Sequence, residues 1–267
     1  MFAGVKMDSM TQSDQAPEMQ LARAVQEALL TSDVPPCRCG QLVVKNRMFG
    51  PVGGDFYHFR NLGQDQVAFA VGDVMGHDLG AALLMTLMMG LLGADRDDHR
   101  RPSRVVRRIN EVLLRLGESA DTPILCSLLY GIVDLPTGIF LYVNAGHPHP
   151  IVCQRQQGTA HCLATTTMLL GVQDSVLPES CSQFGPDDRL VIFTDGITEA
   201  HNARGKAFGE ENLLRIISQV SNESPEVLTK RIFEETDGFC GPTPPEDDQT
   251  LVVIDFEEVS TQFWPGE

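Results

Sequence analysis

Positive charge is scarce in this chain: 20 Lys and Arg stand against 36 Asp and Glu in 267 residues, a formal net charge of -16. Phosphate backbones and anionic lipid surfaces are held by clustered cations, so no nucleic-acid or anionic-membrane partner is expected. Long apolar runs are missing too. The longest, Ala81 to Ala94, falls short of the roughly 20 residues that span a bilayer and reads as a buried helix. Met1 to Glu18 has no apolar segment between a basic start and a small-residue cleavage site, so no secretory signal is expected and the compartment expected is the cytoplasm. Cysteine occurs at Cys37, Cys39, Cys126, Cys153, Cys162, Cys181 and Cys240, without a C-x-x-C pair. That odd set implies neither a disulfide framework nor a zinc site, and reduced thiols are expected. The G-x-x-x-x-G-K phosphate loop, the nucleophile elbow and a thiol-nucleophile motif are likewise absent, which removes the nucleotide and covalent-catalysis readings those motifs carry. Aromatics make up only 6% of a chain that is 42% hydrophobic, enough for one substantial core and one domain.

What the chain does have is aspartate at the foot of hydrophobic strands, beside glycine or a second acid: Gly53-Gly54-Asp55, Gly72-Asp73-Val74, Phe193-Thr194-Asp195-Gly196 and Glu246-Asp247-Asp248. A carboxylate at the end of a buried strand loses hydration and needs a cation, hydrogen-bond donors or a raised pKa. Glycine beside it lets the backbone turn and come close to whatever the acid holds. Any one Asp-Gly is an ordinary turn signal; four such aspartate-bearing strand ends together point to one metal site.

The pattern predicts strands near Leu42 to Val44, Phe56 to Phe59, Gln66 to Asp73, Ile124 to Asp134, Ile139 to Ala145, His149 to Gln154, Arg189 to Asp195 and Thr250 to Phe256. Leu135-Pro136-Thr137-Gly138 and Gly146 to Pro148 read as hairpin connections. Helices are predicted at Gly80 to Ala94, Pro102 to Gly117, Glu210 to Val220 and Pro225 to Glu235, with Asp78, Ser103 and Ser224 as caps or first-turn residues. Residues 1–17 read as a disordered lead. Residues 18–35 hold a helix, Glu18 to Leu30, with one apolar face of Met19, Leu21, Ala22, Val25, Ala28 and Leu29, followed by a linker. Residues 36–258 form the main domain and 259–267 a tail. The fold class expected is α+β, helices covering a pair of sheets.

Gly53-Gly54-Asp55-Phe56-Tyr57, Gly72-Asp73-Val74-Met75-Gly76-His77 with Ala81-Ala82, Asn144-Ala145-Gly146-His147-Pro148, Phe193-Thr194-Asp195-Gly196-Ile197-Thr198-Glu199-Ala200 and Asp247-Asp248-Gln249-Thr250 stand in an order and spacing that resembles the SpoIIE/RsbU-like branch of the metal-dependent PPM protein phosphatases, from about Pro36 to Phe256. The resemblance implies a four-layer αββα sandwich of two mostly antiparallel sheets, with two Mn2+ or Mg2+ ions at one end. By motif position Asp73 would bridge both ions, Asp55 would bind one, Asp195 and Asp247 the other, and the Val74 carbonyl would add a ligand. Asp248 is an alternative to Asp247. Hard oxygen ligands suit these ions.

The activity implied is hydrolysis of phosphoserine or phosphothreonine on a regulatory protein, such as an anti-anti-sigma STAS domain, by metal-activated water. Met75 occupies the place where many relatives carry a histidine; His77, two residues on, is either a substitute proton donor or a cap of the following helix. His147 reads as a turn residue and His58 as solvent-facing. Lys45 or Arg47 could reach the phosphate, or be ordinary surface cations. The helix in 18–35 resembles one that precedes this domain in relatives, and either covers the core or pairs with a regulatory partner or a second copy. A silent metal-binding module and a dimetal hydrolase of small phosphoesters are the competing readings.

Overall fold

Short apolar runs, most of them buried on both faces, fold into two sheets. In the computed structural model, which describes residues 6–7, 17–30, 41–63, 65–76, 78–94, 97–174 and 176–257, the first sheet contains β1 (Lys6–Met7), β2 (Leu42–Arg47), β7 (Ile151–Gln154), β8 (Thr159–Cys162), β10 (Asp188–Phe193) and β11 (Gln249–Asp255), in the order β1-β2-β11-β10-β7-β8. The second contains β3 (Asp55–Gly63), β4 (Gln66–Val74), β5 (Cys126–Asp134), β6 (Ile139–Ala145) and β9 (Ser180–Gln183), in the order β3-β4-β5-β6-β9. Every neighbouring pair is antiparallel except β1 with β2.

The period of two sorts the side chains between faces. Leu190, Ile192, Val252 and Ile254 join the core of the second sheet, while Val191, Phe193, Leu251 and Val253 face the opposite way. On that outer side, α5 (Gly209–Gln219) and α6 (Pro225–Cys240) bring Leu213, Ile216, Ile217, Leu228, Ile232 and Phe233 against the first sheet. The second sheet is covered by α2 (Leu79–Gly93) and α3 (Pro102–Ala120), which pack on β3 to β6. The result is helices, sheet, sheet, helices. A short α4 (Asp195–Thr198) follows β10. Asp78 caps α2 by accepting from Gly80 N and Ala81 N, and Ser224 caps α6 by accepting from Val227 N.

Three departures from the expected elements have physical causes. Gly146 to Pro148 is no hairpin: β6 belongs to the second sheet and β7 to the first, so this segment crosses between layers. Strands β8 and β9 escaped the pattern because each is a four-residue, largely exposed edge strand with few apolar residues. Helix α1 (Pro17–Leu30) forms, yet it buries Gln26 and Leu30 and leaves Leu21 67% and Val25 45% exposed. It docks through Leu30 and Leu29 at its C-terminal end, which join the core, and through the buried Gln26 amide. The lead expected to be disordered lies outside the described residues apart from Lys6–Met7, which pair with Lys45 and Asn46, and Pro17, the first residue of α1. Residues 31–40 and 258–267, which include the expected linker up to residue 35, the first residues and the last residue of the expected domain, and the 259–267 tail, lie outside them as well.

Candidate metal centre

Register places the acids. Asp55 of β3 lies directly opposite Asp73 of β4, and Asp73 lies opposite Ser127 of β5; opposed residues share a face, so Asp55, Asp73 and Ser127 form a row across one end of the second sheet. The first sheet closes on this row. Thr194, just past β10, and Thr250 of β11 donate their hydroxyls to Asp55 Oδ2 at 2.7 and 2.6 Å. Behind them Asn46 Nδ2 donates to Thr250 Oγ1 at 2.8 Å, and Thr250 N donates to Thr194 Oγ1 at 2.9 Å. Asp195 opens α4, and Asp247 and Asp248 immediately precede β11.

Asp248 grips the loop that delivers Asp55. Its Oδ1 accepts from Phe49 N at 2.7 Å, and its Oδ2 accepts from Gly54 N at 2.8 Å and Asp55 N at 3.4 Å. A Cβ on Gly53 would collide with the Asp248 carboxylate, and one on Gly196 would collide with the Asp248 carbonyl. On Gly54, a Cβ would come within 2.5 Å of the Val74 carbonyl oxygen and 3.2 Å of Asp73 Oδ1. The glycines beside the acids are therefore required by close approach, with no left-handed backbone involved. Asp247 Oδ1 accepts from Asp248 N at 2.8 Å.

Electrostatics mark this end as a place for cations. Burial, then the carboxylates of Asp73 and Asp248, push Asp55 well above the usual aspartate range. Asp73 is pushed up to about 8 by burial and by Asp195, Asp247 and Asp248. Asp195 is raised by burial, then Glu199 and Asp247; Asp248 is raised chiefly by burial. No hydrogen bond from a described residue reaches the Asp73 carboxylate, so both its oxygens are open. Among the described residues no three acidic, imidazole or thiol groups already close on one point. The donor set is all oxygen, which suits hard divalent ions.

Several expectations change on inspection. Lys45 Nζ sits 4.2 Å from the centroid of the Phe233 ring, and Arg47 donates to Asp237 at 2.8 Å. Both are turned toward α6 and away from the acids. His58 does not face solvent: both ring nitrogens are buried without a partner on the α2 and α3 side, and burial lowers it to about 4, with Arg60 and His99 adding to the effect. Met75 is 62% exposed. His77 lies outside the described residues. Thr194, Thr250, Asn46 and Gln26 were missed as contributors. The legible signal for the two threonines was their parity with the inward residues Ile192 and Val252 at the strand ends; Gln26 and Asn46 gave none.

The sequence matches the Stage II sporulation protein E (SpoIIE) family over residues 63–257. It is 26% identical over 265 residues to Protein IcfG of Synechocystis sp., covering 89% of this chain and 41% of that protein, and 24% identical over 218 residues to the phosphoserine phosphatase RsbU of Bacillus subtilis, covering 81% and 64%. The chain thus spans less than two thirds of either relative. Among solved structures, the SiaA-PP2C domain of Pseudomonas aeruginosa superposes with a TM-score of 0.75 at 17% identity, over 90% of this chain and 96% of that one. RsbX in complex with magnesium gives 0.61 at 14% identity, over 84% and 99%. Two antiparallel sheets between helices, acids gathered at one end and a family match across most of the folded region agree: the chain belongs to the SpoIIE family of PP2C-type phosphatases.

Proposed function

We propose that the chain is a metal-dependent protein serine/threonine phosphatase acting on a phosphorylated regulatory protein, of which an anti-anti-sigma STAS domain is the class suggested by the family resemblance. The observation that carries the reading is Asp73: it is flanked by acids from three other segments, and its carboxylate accepts no hydrogen bond from a described residue. Asp55, Asp73, Asp195, Asp247 and the Val74 carbonyl would hold the two ions, Mn2+ or Mg2+. Three backbone donors on Asp248 support Asp247 as the ligand and Asp248 as the brace of the Asp55 loop. The RsbX complex with magnesium is a precedent for the ion in a protein of this fold, and the relative RsbU carries the name phosphoserine phosphatase.

Bound divalent ions supply an acidified water and neutralise phosphoryl charge. The chain's own residues do the rest. Thr194 and Thr250 fix the Asp55 carboxylate, Asp248 fixes its backbone, and the four acids would hold the ions that in turn would position the phosphoryl group. His77 is the proposed proton donor to the leaving alkoxide, because Met75 offers none. Residues 36–258 would form the catalytic domain, with the helix and linker of 18–35 as its regulatory or dimer contact.

The reading is tested by Mn2+-dependent hydrolysis of a phosphoprotein and of p-nitrophenyl phosphate. Folded protein in excess metal that turned over neither would support the silent-module reading, and faster hydrolysis of nucleotides than of phosphopeptides would support the small-phosphoester reading.

A further inference from the structure

The row of Asp55, Asp73 and Ser127 does not end at Ser127. Ser127 Oγ lies 2.9 Å from Nδ1 of His147, which stands in the segment that leaves β6. The imidazole is not what holds that segment. Asn144 Oδ1 accepts from His147 N at 2.9 Å, Asn144 O accepts from Thr166 N and Thr167 N, and Gly146 N donates to Thr167 O. Gly146 has φ of 64°, and a Cβ there would come within 2.8 Å of Leu169 N, so backbone and Asn144 define the turn. The ring is instead directed inward, 2% exposed, toward the site.

Its other nitrogen decides the tautomer. Nε2 is buried without a partner, and an orphaned buried N–H is rarer than an orphaned acceptor. That asymmetry favours the tautomer with the proton on Nδ1, donating to Ser127 Oγ across the 2.9 Å contact. That leaves the Ser127 hydroxyl proton without an acceptor among the described residues, since no hydrogen bond reaches Asp73. The half-buried hydroxyl stands beside the central carboxylate of the row. A phosphate ester arriving there needs donors, and the nearby cations Lys45 and Arg47 are turned toward α6.

We infer that Ser127 is a substrate-binding residue that donates its hydroxyl to a phosphoryl oxygen, and that His147 is the positioning residue that orients it. The inference rests on the phosphatase reading above. A hydrogen bond to a charged group of this kind corresponds to about a tenfold or somewhat larger loss when removed.

The test uses the full chain with Mn2+ and p-nitrophenyl phosphate, together with inorganic phosphate as inhibitor and direct titration of Mn2+ by calorimetry. Ser127→Ala is expected to raise KM and the inhibition constant of phosphate about tenfold while leaving Mn2+ affinity unchanged. His147→Ala should reproduce that loss, the double variant should lose no more than either alone, and His147→Asn, whose Nδ2 can stand where Nδ1 stood, should recover most of it. Unchanged KM and phosphate inhibition in Ser127→Ala would overturn the inference, as would additive losses in the double variant. A wild-type protein without metal-dependent turnover would instead overturn the phosphatase reading. If His147→Ala does not fold, the Ser127→Ala result decides alone.

Discussion

Asp73 and His58 show how differently one sheet treats its ionisable residues. Asp73 lies among acids and keeps its oxygens open; His58 lies on the other side of the same sheet with neither nitrogen partnered. Asp73→Asn should lower turnover by roughly 100-fold or more with an unchanged far-UV circular dichroism spectrum, and retained turnover would remove Asp73 from the site. For His58 the folded value is depressed from 6.5 to about 4. Its contribution to stability is therefore full above pH 6.5 and lost as pH falls through about 4. Thermal unfolding of His58→Phe and wild type across pH 7 to 4 should show a smaller acid-induced fall in Tm for the variant. Parallel curves would mean that the ring protonates without cost.

At the scale of elements, the loop carrying Asp55 is held from two sides. Asp248, just before β11, holds it from one side. From α1, Gln26 Nε2 donates to Gly53 O at 2.9 Å and Gln26 Oε1 accepts from Gly53 N at 3.0 Å, while Nε2 also lies 3.4 Å from Ala82 O of α2. Helix α1 is thereby tied to the Asp55 loop by the Gln26 amide, alongside the packing of Leu29 and Leu30 in the core. Gln26→Ala leaves the Gly53 amide and carbonyl unpaired, a cost of about 1–3 kcal/mol, and should weaken Mn2+ binding in a calorimetric titration. Unaltered binding would reduce α1 to packing. A second tie joins strands β10 and β11: Arg189, fully buried, donates to Asp255 at 2.5 and 2.8 Å, and Arg155 joins the same carboxylate at 2.9 Å. Asp255→Ala strands a buried guanidinium and should cost about 3–5 kcal/mol in urea unfolding.

For the molecule as a whole, the gathered acids make the metal-free state electrostatically unfavourable at one end of the sandwich. An ion that binds only the folded state stabilises it by about 2.7 kcal/mol at a hundredfold excess over Kd, which for a domain of this size corresponds to a rise in Tm of roughly 5–10 °C. Scanning calorimetry with and without Mn2+ should show this shift, and chelation should reverse it. No helix among the described residues is long and apolar enough to cross a membrane, which agrees with the short apolar run at Ala81 to Ala94.

Much was legible in the residues because it depends on local pattern. The unbroken apolar runs in Gln66 to Asp73 and Arg189 to Asp195 mark central strands, Asp78 and Ser224 announce their helices, and aspartates beside glycine mark the strand ends where charge must be held. Register and layer assignment were not legible, since they follow from which faces bury together. Tertiary structure alone decided that Gly146 to Pro148 crosses between sheets, that α1 docks through Gln26, Leu29 and Leu30 and leaves Leu21 and Val25 in solvent, and that Lys45 and Arg47 face α6. It also separated the adjacent acids: Asp248 is buried and held by three backbone donors, whereas Asp247 is half-buried. Sequence by itself determined the chemistry available at this end of the molecule; the packing of one sheet on the other determined which oxygens are free to perform it.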